Sequence, residues 1–179
     1  MGYALAEAAR TVSPHVVMVS GPTALTPPAG VEYAPVTTAQ EMADAVFARF
    51  DRCDIVVMAA AVGDFRPKQT AGSKIKKGVF RGVLELEPTV DILAELGKRK
   101  QSQTLVGFAA ETDDLLANAR AKLQKKNLDL IVANAAGAFE AKTNAVTLLF
   151  SDGRVERLPE LMKRDVAAAI IERVLKLRT

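Results

Sequence analysis

The chain has 179 residues, 49% hydrophobic and 25% charged, which suits one globular domain with a sizeable core and excludes both wholesale disorder and a second full domain. Its 24 basic and 21 acidic residues leave a net charge of +3; this favours a small anionic substrate, but the long basic, aromatic-studded stripe of a nucleic-acid binder is absent. The opening MGYALAEAAR lacks a basic leader and a secretory apolar core, and no apolar run reaches the roughly 18 residues of a membrane helix, so a cytoplasmic protein without a membrane partner is expected.

Leu5, Ala8, Ala9 and Val12 fall at near-helical spacing, so a helix is predicted to begin almost at the first residue. His15 to Ser20 is a short apolar run stopped by Gly21-Pro22, the pattern of a buried strand and its turn. The loop 21–30 leads to an extended stretch near Val31 to Val36. Thr38 followed by Glu41 forms a capping-box signature for a helix with Met42, Ala45 and Val46 inward. Asp54 to Ala61 is apolar without alternation and is expected to be a central strand.

Asp64 to Phe80 is rich in Lys, Gly and Pro and holds no period, so it reads as a long loop or flap. Leu84 and Leu86 alternate with Glu85 and Glu87, predicting a strand with one wet face. Asp91 caps or begins a helix carrying Ile92, Leu93 and Leu96, followed by a strand at Thr104 to Phe108. A helix over Thr112 to Lys126, a strand over Leu128 to Ala133 and a hairpin about the Asp152-Gly153 turn come next. The last helix spans about Leu161 to Leu177. Strands alternating with helices predict a Rossmann-like three-layer α/β domain with a mostly parallel sheet.

In such sheets ligands bind beyond the carboxyl ends of the strands, which here are Gly21-Pro22, Ala60 to Pro67, Phe108 to Glu111 and Asn134 to Phe139. Asp64 follows small residues there and is either a reader of a base amine or ribose hydroxyls or a turn residue. Lys74, Lys76 and Lys77 either surround phosphates or keep a surface loop solvated. Asn134 either binds a carbonyl or phosphate oxygen through its amide or supports a turn, and Glu111 either faces the crevice or caps the next helix. The lone Cys53 reads as a small filler rather than a nucleophile, and the lone His15 as structural rather than a metal ligand. Neither a G-x-G-x-x-G dinucleotide fingerprint nor a phosphate-binding P-loop is present, and no catalytic triad can be assigned.

Taken in order, MGYALAEAA, AAVGDFRP at 60–67, KIKK at 74–77, PTVDIL at 88–93, GFAAET at 107–112 and KKNLDLIVAN at 125–134 give a pattern that resembles the phosphopantothenoylcysteine synthetase domain of bacterial coenzyme A biosynthesis. The resemblance covers nearly the whole chain. It implies CTP-dependent ligation of 4'-phosphopantothenate to L-cysteine through an acyl-cytidylate, releasing CMP and pyrophosphate, with Mg2+ as counter-ion of the triphosphate. Lys74 matches the lysine associated with the acyl-nucleotide reaction and Asp64 the cytidine-site aspartate. Phe108, Ala109 and Ala110 match pocket lining, and Asp91 and Lys125 match positions near the nucleotide; no metal ligand is assigned.

The resemblance also implies a homodimer, a projecting dimerisation hairpin at about 139–158, and an upstream decarboxylase domain in the full protein. Relatives carry a further strand and glycine-rich loop ahead of the MGYALAEAA helix, so nucleotide binding is expected here with full turnover weak or absent. Lys142 stands where a hairpin Asp is common, and Gly63 and Val90 replace commoner Ala and Pro. Two other readings are a non-catalytic dimerisation module and a different nucleotide-dependent ligase or reductase.

Overall fold

The computed structural model describes residues 1–76, 82–111, 115–135 and 143–178. In chain order the elements are α1 (Gly2–Arg10), β1 (Val17–Ser20), β2 (Glu32–Pro35), α2 (Ala39–Phe50), β3 (Ile55–Met58), β4 (Phe65–Pro67), β5 (Leu86–Pro88) and α3 (Ile92–Arg99). There follow β6 (Thr104–Glu111), α4 (Leu115–Lys125), β7 (Leu130–Ala135), β8 (Thr143–Phe150), β9 (Val155–Met162) and α5 (Lys163–Lys176).

The main sheet has the order β3-β6-β7-β8-β9. Its first three strands run parallel, where helices make the crossovers, and β8 and β9 are antiparallel additions. β1 and β2 form a separate parallel pair, and β4 and β5 an antiparallel ribbon. The mixed α/β class and the mainly parallel arrangement of its helix-crossed strands agree with the alternating sequence pattern.

Side-chain alternation divides the core into two layers. Val106, Leu130, Val132, Val146 and Leu148 meet Leu5 of α1 and Val166, Ile170 and Val174 of α5. Leu105, Ala109, Ile131, Ala133 and Leu149 point the other way, onto Ala43 and Phe50 of α2, Ile92 and Leu96 of α3, and Ala119 and Leu123 of α4. Strands between two helical layers have no wet face, so β6 and β7 read as continuous apolar runs.

The capping box forms as its spacing requires: Glu41 N–H donates to Thr38 Oγ1 at 3.1 Å while Thr38 N–H donates to the Glu41 carboxylate at 3.2 Å. Such a cap stabilises a helix by about 1 kcal/mol. Asp91 likewise caps α3, accepting from Ala94 N–H at 3.0 Å.

Four expectations change. Val12 lies past the end of α1 and is exposed. β3 is four residues long and ends its sheet, so it is not central within that sheet. The 64–80 loop contains β4, because Phe65, Arg66 and Pro67 find partners in Pro88, Glu87 and Leu86; residues 77–80 lie outside the described residues. The strand expected about Leu84 is displaced and short, with Leu84 and Leu86 both exposed.

The C-terminal hairpin forms about its expected turn. Its turn residue Gly153 has φ +92°, the left-handed region glycine favours. β8 pairs with β7 from Leu130↔Phe150 to Asn134↔Val146, and β9 pairs with β8. Val146, Leu148 and Phe150 face one core layer and Leu149 the other, so β8 is apolar on both faces and is buried by joining the sheet. Residues 139–142, including Lys142, lie outside the described residues.

Candidate functional site

Three of the four expected loops leave the same rim of the main sheet. Met58 pairs with Gly107, and Ala110 with Asn134, so Ala59 to Gly63, Phe108 to Ala110 and Asn134 stand side by side at carboxyl strand ends. Gly21 follows β1 in the separate pair. Phe108 is half-buried toward the α1/α5 layer and Ala109 buried toward the other; of Ala110 only the backbone is described.

Gly107 keeps this rim thin, since a Cβ there would lie 2.9 Å from both Leu93 Cδ2 and Leu128 Cδ1.

The β4–β5 ribbon ties two distant motifs together. Thr89 N–H donates to Asp64 O at 2.9 Å, and the Thr89 hydroxyl donates to Gly63 O. The Asp64 backbone is thereby fastened two residues from the α3 cap, Asp91. The Asp64 carboxylate is exposed, with no hydrogen bond to the described residues. Lys74 is exposed on the same connection and makes no ion pair with them.

Asp91 is more fully engaged. Lys126 Nζ lies 3.0 Å from its Oδ1 and 2.8 Å from its Oδ2. Burial pushes the Asp91 carboxyl upward, but the hydrogen bonds from Lys126 and Ala94 N–H, with the positive charges of Lys126 and Lys125, outweigh it and hold the pKa below its ordinary value. Lys125, the residue expected near the nucleotide, is exposed and acts on Asp91 through its charge alone. The contacting lysine is Lys126, which the sequence reading passed over; the signal for it was the adjacent lysine pair at the end of the α4 pattern. Asp91, Lys126 and the exposed Lys125 thus share one surface at the start of α3.

A depressed folded pKa gives a contribution that is complete above the unfolded value near 3.8 and is lost as pH falls through the lower folded value. Asp91→Ala is therefore expected to cost about 1 kcal/mol at neutral pH through the lost cap, with the difference from the parent shrinking below that value. Urea midpoints at pH 7 and pH 3 check this. A difference unchanged by pH contradicts it.

Among the described residues no group of three or more His, Cys, Asp and Glu side chains is placed to hold a metal ion. No helix among them is long and apolar enough to cross a membrane. Cys53 is half-buried, and burial pushes its thiol pKa up, away from the thiolate a nucleophile requires.

A three-layer α/β fold with its candidate groups on strand-end loops defines a class of small-ligand-binding domains. Within that class, the chain belongs to the family described as the DNA/pantothenate metabolism flavoprotein C-terminal domain, which matches residues 1–177. It is 50% identical over 179 residues to the coenzyme A biosynthesis bifunctional protein CoaBC of Bacillus subtilis (strain 168), with 97% of this chain covering 44% of that protein. The chain thus spans a little under half of that relative's length.

Among solved structures, the C-terminal domain of a coenzyme A biosynthesis bifunctional protein CoaBC matches with a TM-score of 0.85 and 42% identity, over 98% of this chain and 81% of that one. A Cab2 mutant, H337A, in complex with phosphopantothenate-cysteine matches at TM-score 0.66 and 21% identity, over 83% of this chain and 53% of that one. At that identity it is a likeness of fold alone.

Proposed function

We propose that the chain is the synthetase part of a coenzyme A biosynthesis protein and supports CTP-dependent ligation of 4'-phosphopantothenate to L-cysteine. The observation that carries this reading is the fastening of the AAVGDFRP motif to PTVDIL through Asp64 and Thr89, next to the Asp91–Lys126 pair. In this reading Asp64 reads the base while Lys125 and Lys126 attract the phosphates, and what supports it is the Thr89–Asp64 hydrogen bond between the two motifs.

In the reaction a carboxylate oxygen of 4'-phosphopantothenate attacks the α-phosphorus of CTP, and the bond from that phosphorus to the bridging oxygen breaks, releasing pyrophosphate. The cysteine amine then attacks the acyl carbon; the carbon–oxygen bond breaks and CMP leaves. Lys74 stabilises the negative charge gathering on the phosphoryl oxygens. Asp64 accepts hydrogen bonds from the cytidine, with Phe108, Ala109 and Ala110 lining its pocket. Lys125, together with Lys126, attracts the triphosphate, while Asp91 orients Lys126. Mg2+ accompanies the triphosphate as its counter-ion.

The remaining partners belong to the same reading: a cytoplasmic homodimer, with an upstream decarboxylase domain in the longer protein, and neither nucleic acid nor membrane. The hairpin is the dimer surface the resemblance implies, and the β4–β5 ribbon offers a second apolar surface for the same contact. Phe65 opposes Pro88 and Pro67 opposes Leu86 on one ribbon face, where Phe65 is 63% and Leu86 54% exposed. Arg66 and Glu87 pair on the other face at 2.7 Å. Large exposed apolar groups rimmed by charge mark interaction surfaces.

Calorimetric titration of the folded chain with CTP tests the nucleotide assignment. Saturable binding is expected, weakened about tenfold or more by Asp64→Ala, which removes hydrogen bonds to a charged acceptor. Absence of CTP binding by the folded chain overturns the assignment, and preference for ATP or a dinucleotide supports the different-enzyme reading.

A further inference from the structure

The β4–β5 ribbon sets Phe65 opposite Pro88 and Pro67 opposite Leu86, and one step beyond it Asp64 stands opposite Thr89. There the Thr89 N–H donates to Asp64 O at 2.9 Å, and the Thr89 hydroxyl donates to Gly63 O. The two acceptors belong to successive peptide groups, the one that enters Asp64 and the one that leaves it. Because a peptide group is planar, φ and ψ are the only soft backbone torsions of a residue. Holding both planes around the Asp64 Cα fixes both torsions, and with them the direction of the Cα–Cβ bond.

The residue before Asp64 supplies no such constraint. Val62 packs on the α2, α3 and α4 layer, which anchors the loop up to that point, but Gly63 is exposed. A Cβ added to Gly63 would meet only Phe65 O, at 3.7 Å, an ordinary van der Waals separation. Its φ also lies outside the left-handed region, so neither space nor conformation calls for glycine. What glycine brings is freedom, since it has more backbone conformations open to it than any other residue.

Thr89, in contrast, is held on both sides. Pro88 closes the ribbon, which the Arg66–Glu87 pair braces at 2.7 Å. Two residues after Thr89, Asp91 accepts from Ala94 N–H at 3.0 Å and pairs with Lys126 at 2.8 Å.

We propose that Thr89 is the positioning residue of Asp64, its amide and hydroxyl together aiming a carboxylate that Gly63 would otherwise leave free to turn. The proposal rests on the reading that Asp64 accepts hydrogen bonds from a nucleotide base, and it supplies the cause of that residue's aim. A base presents its donors at fixed positions, so an acceptor aimed in advance binds without the ordering cost of a swinging one. Threonine suits the task because its hydroxyl is a donor and its β-branch restricts χ1. The hydroxyl bond to Gly63 O is exposed, so water replaces it when it is lost and the fold gives up little.

Calorimetric titration with CTP tests this on Thr89→Val, Thr89→Ser, Gly63→Ala and Asp64→Ala, and on Thr89→Val combined with each of the last two. Valine keeps the shape and the N–H bond but drops the hydroxyl. Thr89→Val is expected to weaken binding about three- to tenfold, the worth of one hydrogen bond, at an unchanged unfolding temperature, with serine restoring it to within about twofold. Gly63→Ala narrows the freedom of the preceding residue and is expected to tighten binding about twofold in the parent, and by more beside Thr89→Val. In Asp64→Ala the Thr89→Val change is expected to have no further effect, the non-additivity of residues that act through one group.

Parent-like affinity of a folded Thr89→Val protein, beside weak binding by Asp64→Ala, overturns the positioning role and leaves the base reading standing. The same loss from Thr89→Val with and without the Asp64 carboxylate overturns it too, because Thr89 then acts by another route. Where Thr89→Val does not fold, Gly63→Ala decides alone, and binding no tighter than the parent's contradicts the proposal. Parent-like affinity of Asp64→Ala sinks the base reading itself, and the role of Thr89 with it.

Discussion

Replacing Lys74 with glutamine is expected to lower kcat for ligation by about 10² to 10³-fold, the loss produced by removing one donor to charge that develops in a transition state. Glutamine retains an amide donor but no charge, so the substitution isolates electrostatics. Lys74 is exposed and pairs with none of the described residues, so the fold gives up nothing and the unfolding temperature is expected to stay put. CTP affinity is expected to change little, because the interaction strengthens as the phosphoryl group transfers. Pyrophosphate release by a longer, active protein containing residues 1–179, measured at saturating substrates, checks the effect. A kcat within twofold of the parent, or an equal loss in CTP binding, contradicts the role.

Gly97→Ala is the largest expected effect on stability. The new Cβ would sit 2.0 Å from Lys126 O and 2.8 Å from Lys126 C. These are backbone atoms, and the same crossing is fastened by Asn127, whose amide donates to Gly97 O at 3.1 Å from a backbone at φ +51°. Relief requires moving α3 off the end of α4. Overpacking of this kind costs about 3 kcal/mol or more, a large part of the stability of a domain. Gly107→Ala meets only the flexible ends of Leu93 and Leu128 and is expected to cost less. Urea denaturation ranks the two; a Gly97→Ala cost below about 1 kcal/mol, or the reverse order, contradicts the crossing. Since Lys126 also reaches Asp91, the substitution is expected to weaken CTP binding even where the chain still folds.

The features legible in the sequence were those settled by near neighbours. The Thr38–Glu41 box and the Asp91 cap depend on groups three residues apart, and both formed. The apolar runs of β6 and β7 were legible because helices cover both faces. The features that escaped depend on distant partners. β4 exists only because Leu86–Pro88 returns beside it, and nothing inside 64–80 reports that return. Lys126 meets an aspartate 35 residues away, whereas helical periodicity could not choose between it and Lys125. The hairpin turn was local and formed.

The same distinction holds for the site. Motif order singles out Asp64, Lys74 and Asp91 as candidates, and the hydrogen bond that ties the Asp64 backbone to PTVDIL runs through Thr89, whose distant partner no spacing within that motif reports. Phe108 and Ala109 point into opposite layers, so their side chains cannot together line one wall.

The central claim is that the carboxylate of 4'-phosphopantothenate is activated by the α-phosphate of CTP. Its most direct test is oxygen transfer: ligation with both carboxylate oxygens labelled with oxygen-18, followed by mass spectrometry of the nucleotide product from a protein containing residues 1–179. The account predicts one labelled oxygen in the phosphate of CMP and one kept in the amide of the product. Unlabelled CMP, or label in inorganic phosphate or pyrophosphate, would contradict it.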